Sequence, residues 1–252
     1  TRYIGDWSSD VCSSDLRIEM SWRNARYIPS GKTYDGDTSL RHLYYIAIEG
    51  PIGVGKSSLA KLLSEEIGAR LVMEEFDENP FLSEFYVDPE RNAFQTQLFF
   101  LLQRYRQQQD LRQVNMFQKQ LVTDYMFVKD RLFASLNLNE KEMELYDTVA
   151  NLLERNVINP DLVIYLQADT NTLMQNIAKR GRDMEKNITY EYIDALNQVY
   201  TEFFFRYQDT PLVIINTNNI DFVHNKNDLD EVIRYIRQPV TGTKFFNPAQ
   251  DF

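Results

Sequence analysis

The chain has 252 residues, 43% of them hydrophobic, and a formal net charge of -10, which is length enough to bury a full core as one α/β domain. So acidic a balance excludes nucleic acid as a bulk ligand, because a phosphate backbone is repelled except at a local basic cleft, while small anions held by a few placed cations stay open. No apolar run reaches the roughly 20 residues of a membrane span and no cleavable signal peptide is visible, so a soluble cytoplasmic protein without a membrane partner is expected.

Residues 1–42 read as a flexible leader. The first sixteen, with Asp6-Trp-Ser-Ser-Asp-Val-Cys-Ser-Ser-Asp-Leu16, have neither helical nor strand periodicity and resemble one translated frame of a sequencing-library adapter. The single cysteine, Cys12, falls there, so no thiol chemistry is argued from it. Residues 17–42 are polar, with Pro29, Gly31 and Gly36.

The apolar run Leu43 to Ile48 then meets Glu49 and Gly50-Pro51-Ile52-Gly53-Val54-Gly55-Lys56-Ser57, followed by Ser58: a strand, a G-x-x-x-x-G-K-S loop and a helix with apolar residues at 59, 62, 63 and 67. In such a loop successive backbone N–H groups form a concave nest for a di- or triphosphate. Lys56 is placed to neutralise the β- and γ-phosphates, and the Ser57 hydroxyl to ligate Mg2+. A glycine-rich turn with no ligand is the competing reading.

Four more strand-length runs follow: 70–74, 120–124, 162–167 and 211–216, mostly unalternated, as strands covered on both faces are. Between them, apolar residues recur at helical spacing over 90–112, 139–157, 170–180, 188–207 and 228–237. This predicts a five-stranded parallel sheet with helices on both faces and right-handed crossovers, over residues 43–238, with 239–252 a tail. Ligands of such a sheet bind at the carboxyl ends of its strands. There Glu74 and Glu75 close the second run and Asp124 the third. A carboxylate so placed can take a proton from an attacking hydroxyl or hold Mg2+ through water, though strand-end acids also serve as helix N-caps. Lys179-Arg180-Gly181-Arg182, with Asp183 and Glu185, reads as a lid that brings positive charge to a transferring phosphoryl group, or as a basic helix end facing its own dipole.

From about Leu43 to Phe222 the chain resembles the deoxynucleoside kinases. The segments that carry the match are Ile46 to Ser57, the pair Glu74-Glu75, Tyr86 to Gln97, Arg104, Asp130-Arg-Leu-Phe-Ala-Ser135, Leu166-Gln-Ala168 and Arg180 to Glu185. The resemblance implies that Glu74 is the general base for the sugar 5′-hydroxyl and that Tyr86 and Glu185 bind the 3′-hydroxyl. It implies a two-point amide contact from Gln97 to the base, with the Arg104 and Asp130 pair beside it and Phe133 stacked on it. Gln95 competes for the amide role, but the unbroken spacing Tyr86 to Gln97 to Arg104 prefers Gln97.

Asp124 is assigned to Mg2+, Arg180 and Arg182 to the phosphates, and Asp221-Phe222 to the loop beside the donor's adenine. Three positions depart from the family pattern. Glu75 replaces a proline, Asn176 replaces a lid-helix arginine, and Tyr125 stands where an arginine follows the acid, with Lys129 as its substitute. The implied activity is transfer of the γ-phosphoryl of ATP, with Mg2+, to a deoxynucleoside in nucleotide salvage, deoxyadenosine being favoured over deoxyguanosine or deoxycytidine. A homodimer with helices 90–112 and 139–157 at its interface is implied too. The rival readings are a thymidylate-kinase-like enzyme acting on monophosphates and a catalytically silent structural relative.

Overall fold

The computed structural model describes residues 43–75, 78–113 and 120–248; the expected leader, 1–42, lies outside them. Among the described residues six parallel strands form one sheet: β1 (Tyr45–Glu49), β2 (Arg70–Val72), β3 (Leu121–Thr123), β4 (Leu162–Gln167), β5 (Leu212–Asn216) and β6 (Thr243–Phe246), in the order β2-β3-β1-β4-β5-β6. The helices are α1 (Lys56–Ile67), α2 (Leu82–Val87), α3 (Pro89–Gln113), α4 (Lys129–Asn137), α5 (Glu140–Glu154), α6 (Thr170–Arg180), α7 (Tyr190–Arg206) and α8 (Lys226–Ile236), with a 3-10 turn at Asp183–Glu185. The expected count of five strands is corrected to six. β6 lies in the segment read as a tail, where it pairs with β5, and Phe246 packs against Tyr235 with the rings tilted and 4.7 Å between centroids.

The two-residue period of the strands divides the core between the sheet's faces. Ile46, Ile48, Ile164 and Leu166 face α1, α6 and α8. Tyr45, Ala47, Val163 and Tyr165 face α3, α4 and α7, where Tyr165 stacks on Phe204 at 4.3 Å. α5 lies outside this layer, its Tyr146 and Ala150 packed on Leu101 of α3 and Ala134 of α4. Each fully buried aliphatic side chain contributes roughly 1.5–3 kcal/mol.

The strand order reverses beside β1, so the crevice falls where β1, β2 and β3 end. Two glycines hold the loop after β1 in place. At Gly50 (φ 150°) a Cβ would stand 2.5 Å from the Leu166 carbonyl oxygen, and at Gly53 (φ 88°) 2.7 Å from that of Leu173. Only glycine lets the loop press so closely on β4 and α6.

Candidate active site

α1 begins directly after Gly55, with no side chain capping its N-terminus and no acid in its first turn. Its leading N–H groups are thus left to an anion, and the positive end of the helix dipole favours one. The Lys56 ammonium donates to the Pro51 carbonyl at 2.9 Å. Burial, seconded by the charge of Lys129, pushes its pKa down to about 8 against the pull of Glu49, Glu74 and Asp124. The Ser57 hydroxyl donates to Asp124 Oδ2 at 2.5 Å, and the other Asp124 oxygen accepts the Glu74 N–H at 2.7 Å. Two hard oxygens converging beside the phosphate loop fit Mg2+, which usually draws its remaining ligands from phosphates and water.

β2 stops at Val72, so Glu74 lies two residues past the strand end rather than in it. Its carboxylate is ion-paired to Arg104 through Oε1 and to Lys129 through Oε2. Burial raises the carboxyl's pKa, but the two cations outweigh it and hold the group well below the usual carboxylate range. Arg104 is also paired with Asp130 and lies within cation–π reach of Phe100 and Tyr125. Tyr125, where the family pattern has arginine, is thus a wholly buried support for Arg104. Lys129, four residues later, supplies a cation beside Glu74.

A cleft of about 800 Å³, counted to its open mouth, joins these groups. Lys56, Ser57, Asp124 and Lys129 line it together with Tyr86, Gln97, Phe133 and Glu185, and Glu74, Arg104 and Asp130 are also on its wall. Gln97 and Arg104 share one face of α3 because seven residues are two helical turns. The Gln97 amide is 2% exposed and makes no hydrogen bond among the described residues. Gln95 is already bonded, to the Arg91 carbonyl and Asn92 Oδ1. Asp130 Oδ2 is likewise buried without a partner. Burial raises the Tyr86 pKa further, so the phenol stays neutral.

On the lid, Arg180 donates to both Glu185 oxygens, at 2.6 and 2.7 Å, and Arg182 reaches Glu185 at 3.5 Å. Both arginines line the cleft. Asn176 donates to the Gly53 carbonyl at 2.9 Å, bracing the loop instead of carrying charge. Phe222 is a core side chain whose ring would lie 3.0 Å from a Cβ on Gly55, so it backs the phosphate loop from below. The Asp221 carboxylate accepts from Val223 and His224 N–H and shapes its own turn.

The sequence reading gives no role to Leu82, Phe85, Thr96, Phe100 and Tyr192 of the cleft, nor to the buried Glu49. Phe100 was foreseeable, since it follows Gln97 by three on the same helical face. Nothing local marks Tyr192 of α7, half-buried on the cleft wall.

The fold and cleft define a P-loop phosphotransferase: an anion nest, a lysine and a serine hydroxyl on one side, and a carboxylate with uncharged polar groups on the other. A family model described as deoxynucleoside kinase matches residues 46–241. The chain is 33% identical over 199 residues to the deoxyguanosine kinase of Bacillus subtilis (strain 168), covering 77% of this chain and 96% of that one. It is also 33% identical to the deoxyadenosine kinase of Lactobacillus acidophilus over 207 residues, 76% of this chain and 94% of that one. The solved structure of deoxyadenosine kinase from M. mycoides with bound dCTP superposes with a TM-score of 0.66 at 28% identity, over 76% of this chain and 97% of that one. The chain belongs to the deoxynucleoside kinase family. It is a kinase that transfers a phosphoryl group from a nucleoside triphosphate to a deoxynucleoside, so the readings as a monophosphate kinase or a silent relative give way.

Proposed function

We propose that the enzyme phosphorylates the 5′-hydroxyl of deoxyadenosine by preference, with ATP as donor and Mg2+ as the metal. The observation that carries the reading is Glu74, which lines one cleft together with the phosphate-loop residues Lys56 and Ser57 and with Tyr86 and Gln97. In this reading Mg2+, held by Ser57 and by Asp124 through water, supplies charge neutralisation at the donor phosphates. Lys56, Arg180 and Arg182 bind and orient the phosphates. The phosphates also compete for Lys129, which frees one Glu74 oxygen to take the hydroxyl proton. Tyr86 and Glu185 hold the 3′-hydroxyl, and a ribose 2′-hydroxyl would meet the tyrosine. Gln97 and the free oxygen of Asp130 read the base edge, with Phe133 against its face. Asp221-Phe222 borders the donor's adenine. Preference for deoxyadenosine is supported by the deoxyadenosine kinases of L. acidophilus and M. mycoides among the similar proteins.

A homodimer fits the exposed leucines of the outer helices: Leu145 and Leu152 of α5, two turns apart on one stripe, and Leu102 of α3. The setting is cytoplasmic in this reading, and among the described residues no helix is long and apolar enough to cross a membrane.

The test is turnover of the four deoxynucleosides and their monophosphates with ATP and Mg2+. The highest kcat/KM is expected for deoxyadenosine. Preference for another deoxynucleoside would overturn the substrate assignment, and turnover of monophosphates alone would overturn the reading of the acceptor side.

A further inference from the structure

Glu49 ends β1 and has no role in the chemistry above, yet it is a wholly buried carboxylate directly before the phosphate loop. Its Oε2 accepts the Gly50 N–H at 2.9 Å and the Tyr200 hydroxyl at 3.2 Å, and its Oε1 accepts the Met126 N–H at 2.7 Å. Lys129 and Lys56 act on it only at a distance. A carboxylate buried among neutral donors is expensive, and an apolar side chain would close the core more cheaply. What the charge does in return is visible in its three partners. Gly50 opens the donor's phosphate loop. Met126 lies two residues after Asp124 and three before Lys129. Tyr200 belongs to α7, the helix that follows the lid.

We propose that Glu49 is a positioning residue for phosphoryl transfer, its carboxylate clamping the start of the phosphate loop to the segment that carries Asp124 and Lys129. The inference rests on the cleft being the kinase site described above. The donor's phosphate loop follows β1 and the segment carrying Asp124 and Lys129 follows β3, and the pairing of these two strands ends at Ala47 and Thr123, before either segment begins. Glu49 bonds both sides of the gap at once, so it sets the distance and angle between them. The binding subsites themselves are lined by other side chains and survive its loss.

The test is steady-state kinetics of Glu49→Gln and Tyr200→Phe with ATP, Mg2+ and the preferred deoxynucleoside, alongside thermal unfolding. The glutamine keeps the volume and one accepting oxygen but turns an NH2 against the Met126 N–H or against the Gly50 and Tyr200 pair. A misalignment of order 1 Å predicts a kcat fall of about 10- to 100-fold in Glu49→Gln, with both KM values within about threefold of wild type. Tyr200→Phe removes one of three bonds and is expected to lower kcat by a smaller factor, and in the double variant it adds little to Glu49→Gln. Wild-type kcat in a folded Glu49→Gln would overturn the proposal, as would a fall that merely tracks the folded fraction. Should Glu49→Gln not fold, Tyr200→Phe decides: lowered kcat at unchanged KM and melting temperature supports the clamp, and wild-type kcat sinks it. A wild-type chain inactive on every deoxynucleoside would sink both this proposal and the reading of the cleft. An active wild type with an equally active Glu49→Gln would sink the clamp alone.

Discussion

The Lys129 ammonium is ion-paired to the Glu74 carboxylate, joining the first residue of α4 to the acid beyond β2. The pair places a cation beside the proposed base although the third strand's end carries tyrosine and methionine. Replacing Lys129 by methionine is expected to lower kcat by about 10²- to 10³-fold, because one preorganised charge at the phosphoryl group is lost. Lys129→Arg should restore most of the rate, and the nucleoside KM should change little in either variant. Kinetics of the two variants check this, and a wild-type kcat in Lys129→Met would contradict it.

Gln97 lines the cleft and bonds no protein group among the described residues, so the folded state gains nothing from its amide. Gln97→Leu should therefore leave the melting temperature unchanged while raising the nucleoside KM by about 10- to 100-fold, as expected when a directed polar contact is deleted. Gln95→Ala, which removes an amide bonded within its own helix, should do neither.

The phosphate loop was legible because glycine spacing, an apolar run before it and helical periodicity after it all act within the one continuous stretch 43–67. Gln97 and Arg104 were legible as one helix face for the same local reason. β6 was not, since Thr243–Phe246 is a four-residue edge strand with mostly exposed side chains and no pattern beyond Phe246. Short α4 was missed as well. Its opening Lys129-Asp130-Arg131 looks like a solvated charge run, yet Lys129 and Asp130 are buried by partners 55 and 26 residues away in Glu74 and Arg104. Glu49 was quoted as part of the motif without a role, because its partners at 126 and 200 leave no trace in local spacing.

Arg104 holds Glu74 and Asp130 together in a nearly dry setting. Truncating Asp130 to alanine leaves part of that charge uncompensated, and urea unfolding should show a loss of about 3–5 kcal/mol. A loss under about 1 kcal/mol, the range of an exposed pair, would mean that the pair is solvated.

Burial raises the Glu49 carboxyl above its unfolded value of about 4.3, opposed by the charges of Lys129 and Lys56. Between the two values the folded chain binds more protons than the unfolded one, so this group's stabilising contribution is lost as pH rises through the folded pKa. The stability of wild type minus that of Glu49→Gln should therefore increase as pH is lowered from 7 towards 4.5. Urea unfolding at several pH values reads it, and a flat or decreasing difference would contradict it.

The acceptor base is tested most directly by single-turnover phosphorylation of a saturating deoxynucleoside by Glu74→Gln with ATP and Mg2+. The account predicts that phosphoryl transfer slows by about 10²- to 10⁴-fold while the deoxynucleoside still binds. Transfer at the wild-type rate would remove Glu74 from the chemistry and with it the proposed alignment of sugar hydroxyl and phosphate loop.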